Sequence, residues 1–264
     1  MLAGTAVRRS IAWSVAASLA LVGCTAAGSA TPSPLPSVAP SATAEASPRA
    51  SLPSLPPLGS ALRFVTLGDG YTAGTDTPDP RQDSWPAQLE QAMQGRVRLR
   101  LVDNLAEPGL YSQDIIEDLE WQLETLRPDV VSLLIGVNDV IATQVSLEDY
   151  RQNVSTILDM LLARLPPARV FVITTPDYTL TGQGRTFGDP ADKRAEIAEA
   201  NRIISEEASS RGIAVIDISP VSDRVPDDPT LVLEGSLNPS AKQYAGWVEI
   251  IGPRMERALT GEEP

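Results

Sequence analysis

The sequence contains no histidine and only one cysteine, Cys24, in 264 residues. Many hydrolases use a histidine as general base because its pKa lies near neutrality, and this chain has none to offer. A single cysteine excludes a disulfide within the chain, and the two shortages together exclude the usual zinc ligand sets. We therefore expect no metal centre and no cofactor, and a domain that is stabilised by its hydrophobic core.

Basic residues are scarce relative to acidic ones: 21 Lys and Arg against 34 Asp and Glu give a formal net charge of −13. The acidic excess is dispersed along the chain, which favours solubility rather than an acidic binding tail. A negative surface repels nucleic acid and anionic lipid headgroups. We expect a monomer that binds no nucleic acid.

The N-terminal segment has the features of a bacterial lipoprotein signal. Arg8 and Arg9 form a positive start, and residues 11–22 form an apolar run that is too short to favour a membrane span. The run ends in Leu-Val-Gly-Cys, with the cysteine at Cys24. The sequence predicts cleavage after residue 23 and a lipid on Cys24 that anchors the exported protein to the outer face of the bacterial cell membrane. The alternative is an ordinary secretory signal with an incidental cysteine.

Two further segments follow residues 1–23. Residues 24–60 carry the lipidated cysteine and are rich in Pro, Ser and Ala. This composition predicts an extended tether, because it offers too few apolar side chains to offset the entropy lost on ordering. Residues 61–264 are long enough to form a single domain with a sizeable core.

Short apolar runs alternate with amphipathic segments in this domain. The predicted strands are 62–67, 98–102, 130–135, 170–174 and 213–218, and the predicted helices are 85–93, 113–126, 147–165, 190–211 and 240–259. Strand followed by helix, repeated five times, predicts an α/β fold, with a five-stranded parallel sheet between two helix layers in a three-layer α/β/α sandwich. Ligands bind such sheets beyond the carboxyl ends of the strands.

Three short sequence blocks lie in loops of this kind. Residues 68–74, Gly-Asp-Gly-Tyr-Thr-Ala-Gly, follow the first predicted strand; residues 136–139, Gly-Val-Asn-Asp, follow the third; residues 237–240, Leu-Asn-Pro-Ser, precede the last helix. In this order they resemble the blocks of the SGNH (GDSL-like) hydrolase family over about residues 61–260. The resemblance implies the flavodoxin-like fold of that family and ester hydrolysis as its ordinary activity.

The resemblance also implies a role for individual positions. The family's serine nucleophile falls at Gly70, its histidine at Asn238 and its aspartate at Gly235, so the nucleophile, the base and the acid that orients it are all absent. The oxyanion hole is implied to remain, formed by the N–H groups of Gly70 and Gly109 and the side chain of Asn138. Such a trio would bind a carboxylate, a sulfate or a carbonyl oxygen.

Asp69 and Asp139, which flank two of these residues, complete the predicted vestigial pocket. Taken without the family, the first block is also compatible with a simple turn at Gly70, and Asn138 with a helix cap. A shift of one residue would make Glu234 the missing carboxylate. The remaining serines considered are expected in turns or caps and not as nucleophiles: Ser84, Ser112, Ser236 and Ser240.

The sequence supports three functional hypotheses. The first is an exported, lipid-anchored and catalytically inactive protein that binds an acylated or carbohydrate ligand of the cell envelope in the vestigial pocket. The second is an active esterase or lipase with a rebuilt catalytic site. The third is a structural envelope lipoprotein with a filled pocket. Six aromatic side chains could offer stacking surfaces for a sugar: Trp85, Tyr111, Trp121, Tyr178, Phe187 and Trp247. Of these, Trp121 and Trp247 fall inside predicted helices and are expected in the core.

Overall fold

A computed structural model describes residues 60–95, 97–142 and 145–261 of the chain. The predicted signal peptide, Cys24 and nearly all of the predicted tether lie outside these residues. None of the helices in the described ranges is long and apolar enough to cross a membrane.

Five parallel strands form one sheet. They are β1 (Leu62–Gly68), β2 (Leu99–Asn104), β3 (Val130–Leu134), β4 (Val170–Ile173) and β5 (Ala214–Ile216), and their order across the sheet is β2-β1-β3-β4-β5. The chain moves outward in one direction from β1 to β2 and in the other direction from β3 to β5. The loops that follow β1 and β3 therefore leave the sheet on opposite sides and open a crevice between them.

Nine α-helices occur within the described ranges: α1 (Gly70–Ala73), α2 (Pro80–Asp83), α3 (Trp85–Met93), α4 (Ser112–Leu126), α5 (Val137–Ala142), α6 (Leu147–Leu162), α7 (Pro190–Ser210), α8 (Ser219–Ser222) and α9 (Ala241–Thr260). Helix α3 packs against α9, whereas α4 packs against α6 and α6 against α7. With right-handed crossovers these two groups cover opposite faces of the sheet. The prediction of a three-layer α/β/α fold with a five-stranded parallel sheet is confirmed.

The sheet interior and the inward faces of the helices form the core. All residues of β3 and β4 are buried, as are the largest aromatic side chains of α3 and α9, Trp85 and Trp247. The indole N–H of Trp247 donates to the hydroxyl of Ser222 at 2.9 Å. Trp121 of α4 is 66% exposed, so its predicted place in the core is wrong.

Two predicted elements end at least two residues earlier than expected, for local reasons. Helix α6 stops at Leu162 rather than at residue 165 because Pro166 disfavours helical dihedral angles at the residue before it. Strand β5 stops at Ile216 rather than at residue 218 because the carboxylate of Asp217 accepts the N–H of Ser219 at 2.9 Å. This local hydrogen bond turns the chain into α8.

Candidate functional site

A cleft of about 190 Å³ lies at the carboxyl ends of β1 and β3, in the crevice where the strand order switches. Four of the six predicted pocket residues line it: Gly70, Gly109, Asn138 and Asn238. They come from four separate segments of the chain, and the sheet brings them together: Gly70 begins α1, Asn138 lies in the first turn of α5, and Gly109 and Asn238 lie in loops. The cleft is open, which is contrary to the filled pocket expected of a purely structural protein.

Gly70 is the first residue of α1, and Asp69 caps that helix by accepting the N–H of Tyr71 at 3.0 Å. Gly70 has no positive φ, so its backbone is compatible with any L-amino acid. A Cβ atom at this position would meet the hydroxyl of Thr75 at 3.0 Å, which is a tight contact. That hydroxyl is buried and has no hydrogen-bond partner among the described residues. The space that a side chain at position 70 would need is thus partly taken by Thr75.

The loop after β2 carries Gly109 into the cleft. At its start the side chain of Asn104 accepts the Thr66 hydroxyl at 2.8 Å and donates to the carbonyl of Thr72 at 2.9 Å, which fixes the loop to β1 and α1. Gly109 itself has φ +88, a conformation that favours glycine. No described hydrogen bond uses the N–H of Gly70 or of Gly109, so both donors remain available to a ligand.

Asn138 lines the cleft, but one of its amide N–H groups already has an acceptor. Its Nδ2 donates to the carbonyl oxygen of Leu110 at 2.8 Å and so ties the loop after β3 to the loop after β2. A primary amide carries two N–H donors, which leaves one for a ligand. The predicted role as a third oxyanion donor therefore applies to the second N–H alone.

Asp69 and Asp139 do not line the cleft; both are buried behind its wall. Asp139 accepts the hydroxyl of Ser112 at 2.6 Å and also its backbone N–H. The Ser112 hydroxyl in turn accepts from the amide of Asn153 at 3.0 Å, so this serine links α4 to α5 and α6. Burial raises the pKa of Asp139, against the hydrogen bonds from Ser112.

The pKa of Asp69 is shifted further. Burial of its carboxyl raises the pKa to about 7, the hydrogen bond from the Tyr71 N–H opposes the shift, and repulsion by Asp139 adds to it. Near neutral pH this buried group is close to half protonated. Since it does not reach the cleft, the two aspartates support the loops and do not contact a ligand.

Asn238, which the resemblance aligns with the family's histidine, contacts a carboxylate that the sequence blocks do not include. Its Nδ2 donates to Oδ2 of Asp76 at 2.8 Å, and the hydroxyl of Ser236 donates to the same oxygen at 2.9 Å. Sequence reasoning missed Asp76 because 162 residues separate it from Asn238. The available signal was weak: an acidic residue two positions after the first block, in a loop at the same sheet edge.

The two positions from which the sequence expected a carboxylate lie elsewhere. Glu234 and Gly235 line a neighbouring groove and not the cleft. Gly235 has φ +72, and a Cβ there would meet no atom within 4 Å. The alternative in which a one-residue shift lets Glu234 serve Asn238 is therefore wrong, because Asp76 already holds that place.

The lining residues include no activated nucleophile. The hydroxyl of Thr75 is buried, and so is that of Tyr71, whose pKa is raised well above its usual value by burial and by the charge of Asp69. Both therefore stay protonated near neutral pH. Across the described ranges, no group of three or more His, Cys, Asp or Glu side chains is arranged to hold a metal ion. The cleft offers donors on one side, the carboxylate of Asp76 on another, and no proton acceptor of imidazole type.

Comparison with known proteins gives one sequence match and several similar structures. The sequence model of the GDSL-like lipase/acylhydrolase family matches residues 66–245. No curated protein matches the chain significantly.

Solved structures similar to this one include a lipase/acylhydrolase from Enterococcus faecalis, with a TM-score of 0.61 and 20% identity over 74% of this chain and 95% of that one. An acetylxylan esterase from Geobacillus stearothermophilus has a TM-score of 0.61 and 17% identity over 75% of this chain and 95% of that one. An α/β-hydrolase enzyme from the metagenome of Lake Arreo, Spain, has a TM-score of 0.59 and 20% identity over 76% and 95%. At these identities the likeness shows the fold alone.

Proposed function

The chain belongs to the GDSL-like lipase/acylhydrolase family, and from that premise we propose that it is a binding protein that has lost ester hydrolysis. Its ligand is an acylated or carbohydrate component of the cell envelope, held in the cleft that catalysis once used. The observation that carries this proposal is the composition of the cleft: the N–H groups of Gly70 and Gly109 remain as donors, while Gly70 and Asn238 stand where the nucleophile and the base would be.

The chemistry of the missing groups supports this proposal. Glycine has no side-chain oxygen with which to attack a carbonyl carbon, and an amide cannot take a proton near pH 7. Donors of an oxyanion hole bind a carbonyl oxygen in the ground state as well, although more weakly than the oxyanion for which they were arranged. A cleft that keeps the donors and lacks the nucleophile therefore binds without cleaving.

The proposed place of action follows from the N-terminal sequence. A lipoprotein signal ending at Cys24 would export the domain and attach it to the membrane, and the Pro-rich residues 25–60 would hold it away from the lipid surface. Ligands within reach of such a tether are envelope polymers and lipids. In this proposal the protein binds the membrane through the lipid on Cys24, and it binds no nucleic acid.

A second candidate function, an esterase with a rebuilt site, has one observation in its favour. The hydroxyl of Ser236, which lines the neighbouring groove, donates at 2.9 Å to the carboxylate of Asp76, which lines the cleft. A carboxylate is a weaker base toward a serine hydroxyl than the imidazole of a serine hydrolase. This pair makes Ser236 the nucleophile to test.

The two candidates differ in the hydrolysis of short-chain p-nitrophenyl esters. We expect the purified full-length protein to release no more p-nitrophenol than the same sample after heat inactivation. The matched comparison is Ser236→Ala against Ser205→Ala, a serine on α7 whose hydroxyl donates only to a backbone carbonyl within that helix. Turnover that persists on repurification and disappears in Ser236→Ala alone would establish the rebuilt esterase and overturn the binding proposal.

A further inference from the structure

Asp76 adopts a backbone conformation that few side chains tolerate. Its φ is +67, and only one other non-glycine residue in the described ranges, Arg127, has a positive φ. Arg127 is the C-cap of α4, where such a conformation is common, whereas α1 already ends at Gly74 and leaves Asp76 in the following loop. Asp is one of the few residues with a side chain that tolerate this region, and the turn holds the carboxylate of Asp76 beside Ser236 and Asn238.

One oxygen of the Asp76 carboxylate accepts two hydrogen bonds, and the other accepts none from the described residues. Oδ2 accepts hydrogen bonds from Ser236 and Asn238, and the backbone N–H of Asn238 donates to the Ser236 hydroxyl at 3.0 Å, which closes a small network. No described residue donates to Oδ1. Since Asp76 is exposed and lines the cleft, this oxygen is an acceptor available to a ligand.

Asp76 also sets the charge of the cleft. Neither lysine nor arginine is present among the described residues that line it, so the carboxylate has no cationic partner there. A bound carboxylate, sulfate or phosphate would place a second negative charge beside it without compensation. The anionic ligands that the oxyanion donors alone would accept are therefore excluded, and neutral ligands remain.

We propose that the cleft selects a secondary amide, with its carbonyl oxygen toward the N–H groups of Gly70 and Gly109 and its N–H toward Oδ1 of Asp76. This inference rests on the proposed binding function and names its ligand class. A trans secondary amide presents its carbonyl acceptor and its N–H donor on opposite edges of one planar group, and the cleft offers N–H donors at Gly70 and Gly109 and a carboxylate acceptor at Asp76. An ester presents oxygen atoms only, so it leaves the carboxylate of Asp76 facing a lone pair.

N-acyl groups of this kind occur on N-acetylated sugars and on acylated peptides, and binding can distinguish the two sources. The experiment is isothermal titration calorimetry on the full-length protein in mild detergent. The two amide probes are an N-acetylglucosamine trimer and an N-acetylated dialanine methylamide. Each is compared with an isostere in which oxygen replaces every amide N–H. The probe that binds identifies the source of the amide.

We expect at least one amide probe to bind at least about tenfold more tightly than its oxygen isostere, because a hydrogen bond to a charged acceptor is worth more than a neutral one. Asp76→Asn and Asp76→Gly should abolish this preference. Glycine suits a φ of +67, so the second variant keeps the backbone conformation if the first disturbs it. Asp118→Asn, an exposed carboxylate on α4 outside the cleft, should retain the preference.

Three results would overturn the amide proposal: equal affinity for amide and isostere, a preference that survives Asp76→Gly, or no binding of either amide probe. Binding of an O-acyl isostere at least as tightly as its amide, without release of acid, would leave the wider binding function standing while refuting the amide. Release of acetate from an isostere would instead refute the binding function itself, since the protein would then be a hydrolase.

Discussion

The proposed loss of ester hydrolysis is tested most sharply by installing a serine and a histidine in the cleft, and the structure specifies which two residues to change. In Gly70→Ser/Asn238→His the serine returns to a position without positive φ. Nδ2 of Asn238 and Nδ1 of a histidine are both bonded to Cγ, so the imidazole would meet Oδ2 of Asp76 where the amide now does, at 2.8 Å. A carboxylate on Nδ1 leaves Nε2 free to accept the serine proton.

The expected size of the effect follows from the parts restored. Loss of a nucleophile and base costs about a millionfold in turnover, and a positioned base contributes about 10²–10⁴-fold of that. Crowding works against full recovery, because the new Cβ meets the Thr75 hydroxyl at 3.0 Å, and overpacking of this kind costs about 1–3 kcal/mol. We expect the double variant to hydrolyse p-nitrophenyl acetate about 10²-fold above the unmodified protein.

Two further substitutions in the double variant, Thr75→Ala and Gly235→Asp, distinguish what the structure predicts from what the family motif predicts. Thr75→Ala removes the crowding hydroxyl and leaves Cβ at 3.6 Å, an ordinary contact, so it should raise the activity of the double variant. Gly235→Asp, which the family motif suggests, should add nothing, because Gly235 has φ +72 and its side chain would enter open space. Gly70→Ser alone should stay near background for lack of a base.

The assay is initial-rate release of p-nitrophenol at pH 7–8, with thermal unfolding used to show that each variant is folded. Asp76→Asn in the double variant is the decisive control, because it removes the carboxylate that orients the imidazole. Activity that depends on Gly235→Asp, or that is unaffected by Asp76→Asn, would refute the assignment of Asp76 to the place of the family's aspartate.

Two further predictions concern stability and localisation. Burial raises the pKa of Asp69 from 3.8 to about 7, so the folded state favours the protonated carboxyl. The resulting contribution to the free energy of unfolding is at most about 4 kcal/mol. It is fully present below pH ~4 and is lost as the pH rises through about 7. Urea unfolding should therefore show Asp69→Asn gaining stability relative to the unmodified protein between pH 5 and pH 8, with Asp118→Asn parallel to the unmodified protein; equal pH profiles for all three would contradict the shift. Cys24→Ser should move the protein from the membrane to the soluble fraction and remove the lipid mass, whereas Ser29→Ala should not; an unmodified, uncleaved N-terminus by intact-mass analysis would disprove the anchor.

The sequence predicted the sheet well because buried parallel strands carry an unmistakable pattern. Residues 130–134 are apolar except for Ser132, and this run becomes β3, which is buried throughout. Helix α3 has the predicted bounds, with Trp85 and Pro86 at its start. The predicted ends of β5 and α6 were less accurate, because Asp217 and Pro166 decide them locally. Hydrophobic periodicity does not detect such single-residue effects.

The exposure of Trp121 follows from its position relative to the apolar face of α4. The buried residues of α4 include Ile115, Leu119 and Leu123, which are spaced four apart along one helix face. Trp121 is two positions after Leu119 and therefore points to the opposite side of the helix. Its place within a helix led to the prediction of a buried side chain. Its place on the helix face opposite Ile115, Leu119 and Leu123 predicts an exposed one.

The candidate site was predictable only as far as its sequence blocks extend. Gly70, Gly109, Asn138 and Asn238 could be assigned to one sheet edge, because each belongs to a recognisable block in a loop after a strand or before the last helix. Asp76 could not, since its contact with Asn238 depends on how two loops fold over each other and not on any spacing in the chain. The buried positions of Asp69 and Asp139 likewise depend on tertiary packing.

The exposure of Trp121 also gives the folded domain two classes of fluorophore. Trp85 and Trp247 are 0% exposed, whereas Trp121 is 66% exposed. Emission from the first two depends on an apolar shell that exists only while the core is packed, and water-soluble quenchers cannot reach them. Water-soluble quenchers can reach Trp121 in the folded state, so we expect its emission to change little on unfolding. Selective quenching therefore divides the optical signal of the domain into a part that follows the integrity of the core and a part that follows the solvent-facing side of α4.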